Sequence, residues 1–264
     1  MQKKYISIYQ RSASPLPEKK DAEYNFLLNI GSFSNTLIFP EYFTFHTGVK
    51  SLDDLFSVSA DSLKKLYRLS LEEEMHDTMI AGGTILFSKG DHLYNALPIL
   101  LNGNLLAYYF KRNLFLNESL YLTSGEDQLT IEHPSTKENW GFLVCADVNN
   151  PSYFTDYKGV KYMAIPVASP FLPDDTEEAR LDRDLSIFQN GAKLSGAVLF
   201  KCCLTGHTGT IDNKISPVNS GKVQGRSLIA SPDGILIRAT NINWQGVLSY
   251  SASDGHVKKV DYDL

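Results

Sequence analysis

Apolar residues recur along the chain in short runs between polar segments, and the period of each run predicts an element. Tyr5-Ile-Ser-Ile-Tyr9 alternates like a strand, residues 21–30 have helical spacing, and Thr36-Leu-Ile-Phe39 is a buried strand stopped by Pro40. Ser51-Leu-Asp-Asp54 has the form of a capping box, and the helix it opens carries Leu63, Leu66 and Leu69 along one face. The rhythm then changes to strands over residues 78–87, 93–101 and 105–110. Turns at Lys89-Gly-Asp91 and Asn102-Gly103 separate them, and an Asn-Gly pair between apolar runs is a strong hairpin signal. Further strands are predicted over residues 140–145, 162–166, 197–203, 227–230, 235–239 and 247–250, with a helical stretch over residues 177–194 and a turn at Pro232-Asp-Gly234. Early alternation of helix and strand, with hairpins crowding the middle and end, predicts mixed α/β sheets whose outer faces are covered by helices. No repeat or linker interrupts the pattern, so residues 1–264 are read as one domain.

Composition adds exclusions. The chain is 43% hydrophobic and 21% charged, that of an ordinary globular protein, and its net charge of −5 offers no basic field for nucleic acid or an anionic membrane. A small-molecule or peptide substrate fits that balance better. No stretch approaches the roughly 20 apolar residues of a membrane span, and no apolar segment follows the lysines after Met1, so no signal peptide is expected. Three cysteines, Cys145, Cys202 and Cys203, are too few and too badly spaced for a disulfide framework, which makes a reduced, cytoplasmic setting the expectation. His46, His76, His92, His133, His207 and His256 form no H-E-x-x-H motif or pair at ligand spacing, so no catalytic metal is expected. No Gly-rich phosphate loop opens a helix, and no cofactor is expected.

Three strand ends carry candidate chemistry. Glu41 follows a buried strand and a proline, where it is either a carboxylate raised toward useful basicity by desolvation or a solvated loop residue. Lys111 and Arg112 close the strand Tyr108-Tyr-Phe, either as functional cations or as charges meeting water. Cys145 closes the apolar run Trp140-Gly-Phe-Leu-Val, either as a nucleophile or as one of the buried, inert cysteines common in cores. Cys202 and Cys203 lie mid-strand and read as core. The run Pro173-Asp-Asp-Thr-Glu-Glu178 reads as a solvated helix start, or as a lid.

In this order the three segments resemble the nitrilase (carbon–nitrogen hydrolase) superfamily. Phe39-Pro40-Glu41, then Tyr109, Lys111 and Leu114, then Gly141, Cys145, Asp147 and Pro151 match its three signatures. Gly82-Gly83, Tyr94-Asn95, Asn102-Gly103, Gly125-Glu126, Asn190 at a helix end, Gly225-Arg-Ser227 and Pro232-Asp-Gly234 are similar to its supporting marks. The resemblance runs from about Tyr5 to about Ala239. It implies an α-β-β-α sandwich, two sheets inside two helical layers, and hydrolysis of a small amide through a cysteine thioester. Cys145 would be the nucleophile, Glu41 the base and later acid, and Lys111 with the backbone N–H of Ala146 the oxyanion stabilisers. Glu118, seven residues after the lysine, is the candidate for a supporting glutamate; the alternative is an exposed loop acid. At least a homodimer is implied.

The sequence also departs from the family pattern. Ala146, Asn149 and Ser152 stand where an aromatic residue, an arginine and a glutamate are frequent, so substrate preference does not carry over. Cys145-Ala-Asp147 differs from the Cys-Trp-Glu of true nitrilases, which favours an amidase-like reaction. An acyltransferase on the same residues, or a silent binding protein on the same fold, remain the alternatives.

Overall fold

The computed structural model describes residues 4–211 and 221–262. The alternating N-terminal segment forms β1 (Tyr5–Ser12), followed by α1 (Ala22–Phe33), β2 (Ser34–Ile38) and α2 (Leu52–Ser70). The capping box forms as predicted: the Ser51 hydroxyl accepts from Asp54 N at 3.1 Å, and the Asp54 carboxylate accepts from Ser51 N at 3.0 Å. Next come β3 (Met79–Ala81), β4 (Ile85–Lys89), β5 (His92–Leu101) and β6 (Asn104–Phe110). Asn102 and Gly103 turn the last hairpin with φ of 50° and 71°, the left-handed pair that Asn-Gly adopts at least cost.

After them lie β7 (Thr130–Glu132), β8 (Asn139–Phe142), α3 (Pro151–Thr155), β9 (Tyr162–Val167), α4 (Glu177–Asp184), α5 (Asn190–Ser195) and β10 (Val198–His207). The chain ends in β11 (Lys222–Val223), β12 (Leu228–Ser231), β13 (Gly234–Arg238), β14 (Gly246–Ser251) and β15 (Val257–Asp261).

These strands make two mixed sheets. In the first, β1 pairs parallel with β2 and antiparallel with β14, β2 continues into β3, and β5 joins β3, β4 and β6; β15 lies beyond β14. In the second, β8, β9 and β10 run parallel, with β7 outside β8 and the antiparallel β12 and β13 beyond β10. The sheets meet where Arg11 and Ser12 of β1 pair with Leu204 and Thr205 of β10.

Side-chain alternation assigns each face. Ile6, Ile8, Ile38 and Ile99 of the first sheet share one buried cluster with Trp140, Phe142, Phe200 and Leu228 of the second. Tyr9, Leu37, Ile80 and Leu100 pack instead with Leu27 and Ile30 of α1 and Leu55, Leu66 and Leu69 of α2. Every residue of β9 is buried, because it is covered on both faces, which is why it reads as a continuous apolar run. The architecture is therefore the expected sandwich of two sheets between helices. Among the described residues, no helix is long and apolar enough to cross a membrane.

Several elements differ from expectation, each for a local reason. Residues 78–87 form two strands, because Gly82-Gly83 breaks them. The strand expected to reach Cys145 stops at Phe142, and Cys145–Asn149 is a 3-10 turn. The helix over residues 177–194 contains a π turn at Leu185–Gln189, so Asn190 opens α5 rather than ending a helix. The short strands β7, β11 and β15 were not legible.

Gly83 sits at φ 66°, and a Cβ there would lie 2.5 Å from both the Pro40 carbonyl oxygen and the Phe43 ring. That close approach seats the segment carrying Glu41. Gly83→Ala should therefore destabilise the fold by about 1–3 kcal/mol, seen as a lowered midpoint of thermal unfolding.

Candidate active site

Three backbone features deliver the charged side chains. Pro40 turns the chain out of β2, the Tyr42 N–H donates to Thr84 Oγ1 at 3.0 Å, and Glu41 is left pointing inward with 1% of its surface exposed. Lys111 follows β6; its N–H donates to Asn95 O at 3.0 Å and its carbonyl accepts from Gly125 N at 2.8 Å. Glu118 lies in a 3-10 turn, Leu116–Leu120, where its carboxylate accepts from Phe115 N at 2.6 Å.

The three side chains bond directly. Lys111 Nζ donates to Glu41 Oε1 and to Glu118 Oε2, each at 2.8 Å, with every partner 2% exposed or less. Asn95 Nδ2 donates to Glu41 Oε1 at 3.0 Å and Glu118 Oε1 at 3.3 Å. Tyr42 OH donates to Glu118 Oε1 at 2.5 Å, and Ala168 N to Glu41 Oε2 at 3.0 Å. Neither glutamate is a solvated loop acid, and Lys111 does not meet water.

Cys145 is half-buried, at φ 44°, a left-handed conformation that costs a non-glycine residue roughly 1–2 kcal/mol. Its thiol feels the charge of Glu41 and lies 4.0 Å from Ala168 O. The peptide of Ala168, just past β9, thus touches both groups. Cys145 and Ala146 line a cavity of about 250 Å³, small against the several hundred Å³ of drug-sized sites. Cys202 and Cys203 are fully buried in β10, as the core reading expects.

Electrostatics assigns the resting protons. Burial raises the Glu41 pKa, and the Glu118 charge adds to this against the Lys111 ammonium. For Lys111, burial works against the charge, but the two carboxylates outweigh it and push its pKa well above the usual lysine range. Burial, then the Glu41 charge, pushes the Cys145 thiol well above its ordinary value despite Lys111. The thiol is therefore protonated at rest, beside a carboxylate able to accept its proton.

Sequence reasoning took Asp147 as a motif mark only. It is fully buried, and its carboxylate accepts from Tyr109 OH at 2.7 Å, Asn113 N at 2.6 Å, Arg112 N at 3.1 Å and Val144 N at 2.8 Å. It ties the segment after Lys111 to the residue before Cys145. Asn95 and Tyr42 also hold the network, and of the two only Asn95 carries a sequence signal, the family-like pair Tyr94-Asn95. The Ala168 contact is through backbone and leaves no side-chain signal. Arg112 holds Asp156 at 3.1 Å and lies over the Tyr153 ring, away from the Lys111 network. The acidic run before α4 is a helix start, with Thr176 accepting from Ala179 N at 3.1 Å, but Asp175 is buried against arginines rather than solvated.

Removing the ammonium should expose how the network is held. Lys111→Met leaves two carboxylates facing each other without a counter-charge, and should cost about 3–5 kcal/mol of stability at neutral pH by denaturant unfolding. Because protonating one carboxylate relieves the repulsion, the loss should shrink as the pH is lowered.

The family model for carbon-nitrogen hydrolases matches residues 34–257. No curated protein sequence gives a significant match. Among solved structures, Nit3 of Saccharomyces cerevisiae, a member of branch 10 of the nitrilase superfamily, is 21% identical with a TM-score of 0.71, over 98% of this chain and 90% of its own. A carbon-nitrogen hydrolase from Helicobacter pylori G27 is 16% identical with a TM-score of 0.72, over 93% and 87%. The E41Q mutant of an amidase from Nesterenkonia sp. AN1, with acrylamide added at its active-site cysteine, is 16% identical with a TM-score of 0.66, over 93% and 92%. The structures share the fold, the family match spans all three motif segments, and the chain belongs to the carbon–nitrogen hydrolase family.

Proposed function

We propose that the protein hydrolyses the C–N bond of a small amide through an acyl thioester on Cys145. The observation that carries this reading is a cavity-lining cysteine whose thiol and the buried, ammonium-braced Glu41 carboxylate both meet the Ala168 peptide. As sulfur attacks the amide carbonyl carbon, Glu41 takes the thiol proton. Negative charge moves to the carbonyl oxygen, where Lys111 and the Ala146 N–H receive it. Two of the three Lys111 protons are committed to Glu41 and Glu118, which leaves the third for this task. One such donor is worth about 3 kcal/mol in well-studied acyl transfers.

The intermediate collapses by breaking the C–N bond, and the Glu41 proton goes to the departing nitrogen, which leaves as ammonia or an amine. Water then attacks the thioester with Glu41 as base. The C–S bond breaks, the acid is released, and the thiol regains a proton. Glu118 touches Lys111 and not the thiol, so its part is to orient the ammonium and keep it charged. The E41Q mutant of the Nesterenkonia amidase shows Michael addition of acrylamide at its active-site cysteine, which recommends the same electrophile as a probe for Cys145.

Cys145→Ala should abolish ammonia release from an amide panel while leaving the unfolding transition intact; retained turnover would sink the reading. Glu41→Gln should lower kcat/KM for amide hydrolysis by roughly 10²–10⁴-fold, the usual scale for general-base loss. The pH profile follows from the shifts. Activity needs Glu41 ionised, so kcat/KM should fall as pH drops through a value above the ordinary 4.5 of glutamate. With the thiol and ammonium pKa values both raised, no alkaline decline should appear until well past pH 9. An acid limb at or below 4.5 would count against Glu41 as the base.

A further inference from the structure

The wall of the cavity beside Cys145 is cationic. Lys201 of β10, Arg183 of α4 and Arg226 before β12 line it, with Asp184 as the one lining carboxylate. Lys201 Nζ donates to Asp184 Oδ1 at 2.8 Å and Arg226 Nη2 to Asp184 Oδ2 at 2.5 Å, while Arg226 Nη2 also donates to Arg180 O at 2.7 Å. Behind them Asp175 pairs with Arg183 and lies 3.5 Å from Arg180 and 4.0 Å from Arg226. Glu177, further out, is bound to Arg238 at 2.5 Å and lies 4.0 Å from Arg180. In the inner group, four cations therefore share two carboxylates. The side chains of Lys201 and Arg226 are only 3% and 7% exposed, so water does little to screen these two, while Arg183 at 40% reaches solvent.

A purely structural ion cluster would be closer to neutral, because uncompensated buried charge is costly. Two further features set this wall apart from a structural cluster. Gln224 lines the same cavity with its side chain almost fully buried; its Nε2 donates to Pro170 O at 2.8 Å, and its Oε1 has no partner. An orphan buried acceptor in a cavity wall is a place for a ligand's donor. The π turn Leu185–Gln189, a rare irregularity concentrated at functional sites, carries Ile187 and Phe188 into the wall directly after Asp184. Phe188 also lies under Lys201, whose ammonium is 4.8 Å from the ring centroid.

We propose that the acyl half of the substrate carries a carboxylate, received by Lys201, Arg226 and Arg183, with an N–H or O–H of the same molecule donating to Gln224 Oε1. The substrate class is then a small monoamide of a dicarboxylic acid. This rests on reading the cavity as the substrate pocket of Cys145. The carboxylate supplies the negative charge the wall lacks, and Phe115, Val148 and Val167 give the chain between the two ends an apolar lining.

The test compares succinamate, glutaramate and adipamate with 4-methylpentanamide, 5-methylhexanamide and 6-methylheptanamide, in which an isopropyl group replaces each carboxylate. For at least one chain length the charged member should have the higher kcat/KM by about tenfold or more. Lys201→Met should lower that charged-to-neutral ratio by about tenfold, mainly through KM of the charged member. Arg183→Gln, at a partly exposed side chain that the fold tolerates more easily, should lower it in the same direction. Succinate, glutarate or adipate should also raise the melting temperature of Cys145→Ala, and this rise should be lost when Lys201→Met is added.

Hydrolysis of the neutral amides as fast as the charged ones, or faster, overturns the carboxylate subsite and leaves the amidase reading standing. No amide turnover, with dicarboxylate binding that depends on Lys201, overturns the amidase reading and keeps the subsite. Neither turnover nor binding overturns both.

Discussion

An ammonium held between two buried carboxylates is the constraint on which the site depends. Glu41 and Glu118 are each about 1% exposed, and Lys111 lies between them, bonded to both, supplying the counter-charge that two buried carboxyl groups so close together need. Geometry follows from that requirement. Lys111 must leave β6 at the depth of both carboxylates, Glu41 must leave β2 pointing inward, and a short turn must bring Glu118 back over the lysine. Asn95, from β5 between them, donates to both acids at once. Burial, then the Glu41 charge, pushes the neighbouring thiol up, with Lys111 opposing.

The carboxylate two residues after the cysteine serves a different end. Asp147 is occupied by three backbone N–H groups and the Tyr109 hydroxyl, so it has no free capacity for proton transfer. It fastens the cysteine turn to the lysine segment. The left-handed backbone at Cys145 is the sort of conformation that persists only when its surroundings over-determine it, and Asp147 bonding to Val144 N is one such constraint. Residues of one motif thus divide their work, one facing the cavity and the other fixing the first.

What could be read in advance was what depends on side-chain type along a local stretch. The capping box at Ser51, the Asn-Gly hairpin and the buried strands β2, β9 and β10 follow from spacing alone, and the three motif segments were legible in their order. The pairing of Glu41 with Lys111 near Cys145 was legible only through resemblance, because no local rule links residues 34 to 104 positions apart. Glu118 read equally well as an exposed loop acid, since nothing local shows that a short turn folds it over a lysine. Backbone contacts stayed hidden, as with Ala168 N on Glu41, because a peptide group carries no residue signature. The cationic wall was hidden for a related reason. Lys201 looks like a charge interrupting an apolar strand and Arg183 like an exposed helical arginine, until α4, β10 and the segment before β12 converge.

Cys145 stands between two charged groups: the buried Glu41–Lys111–Glu118 cluster behind it, with more carboxylates than ammoniums, and the cavity wall of Lys201, Arg226 and Arg183, with more cations than carboxylates. An amide that is neutral at its scissile end and anionic at the other would meet matching fields in only one orientation, with the carbonyl toward Cys145. Hydrolysis reverses that match. The new carboxylate forms beside Glu41, where a second negative charge is disfavoured, while the wall still holds the other end. On the proposed reading, the arrangement that orients the substrate would disfavour the product, and the chemical step itself would supply the change of charge that loosens binding.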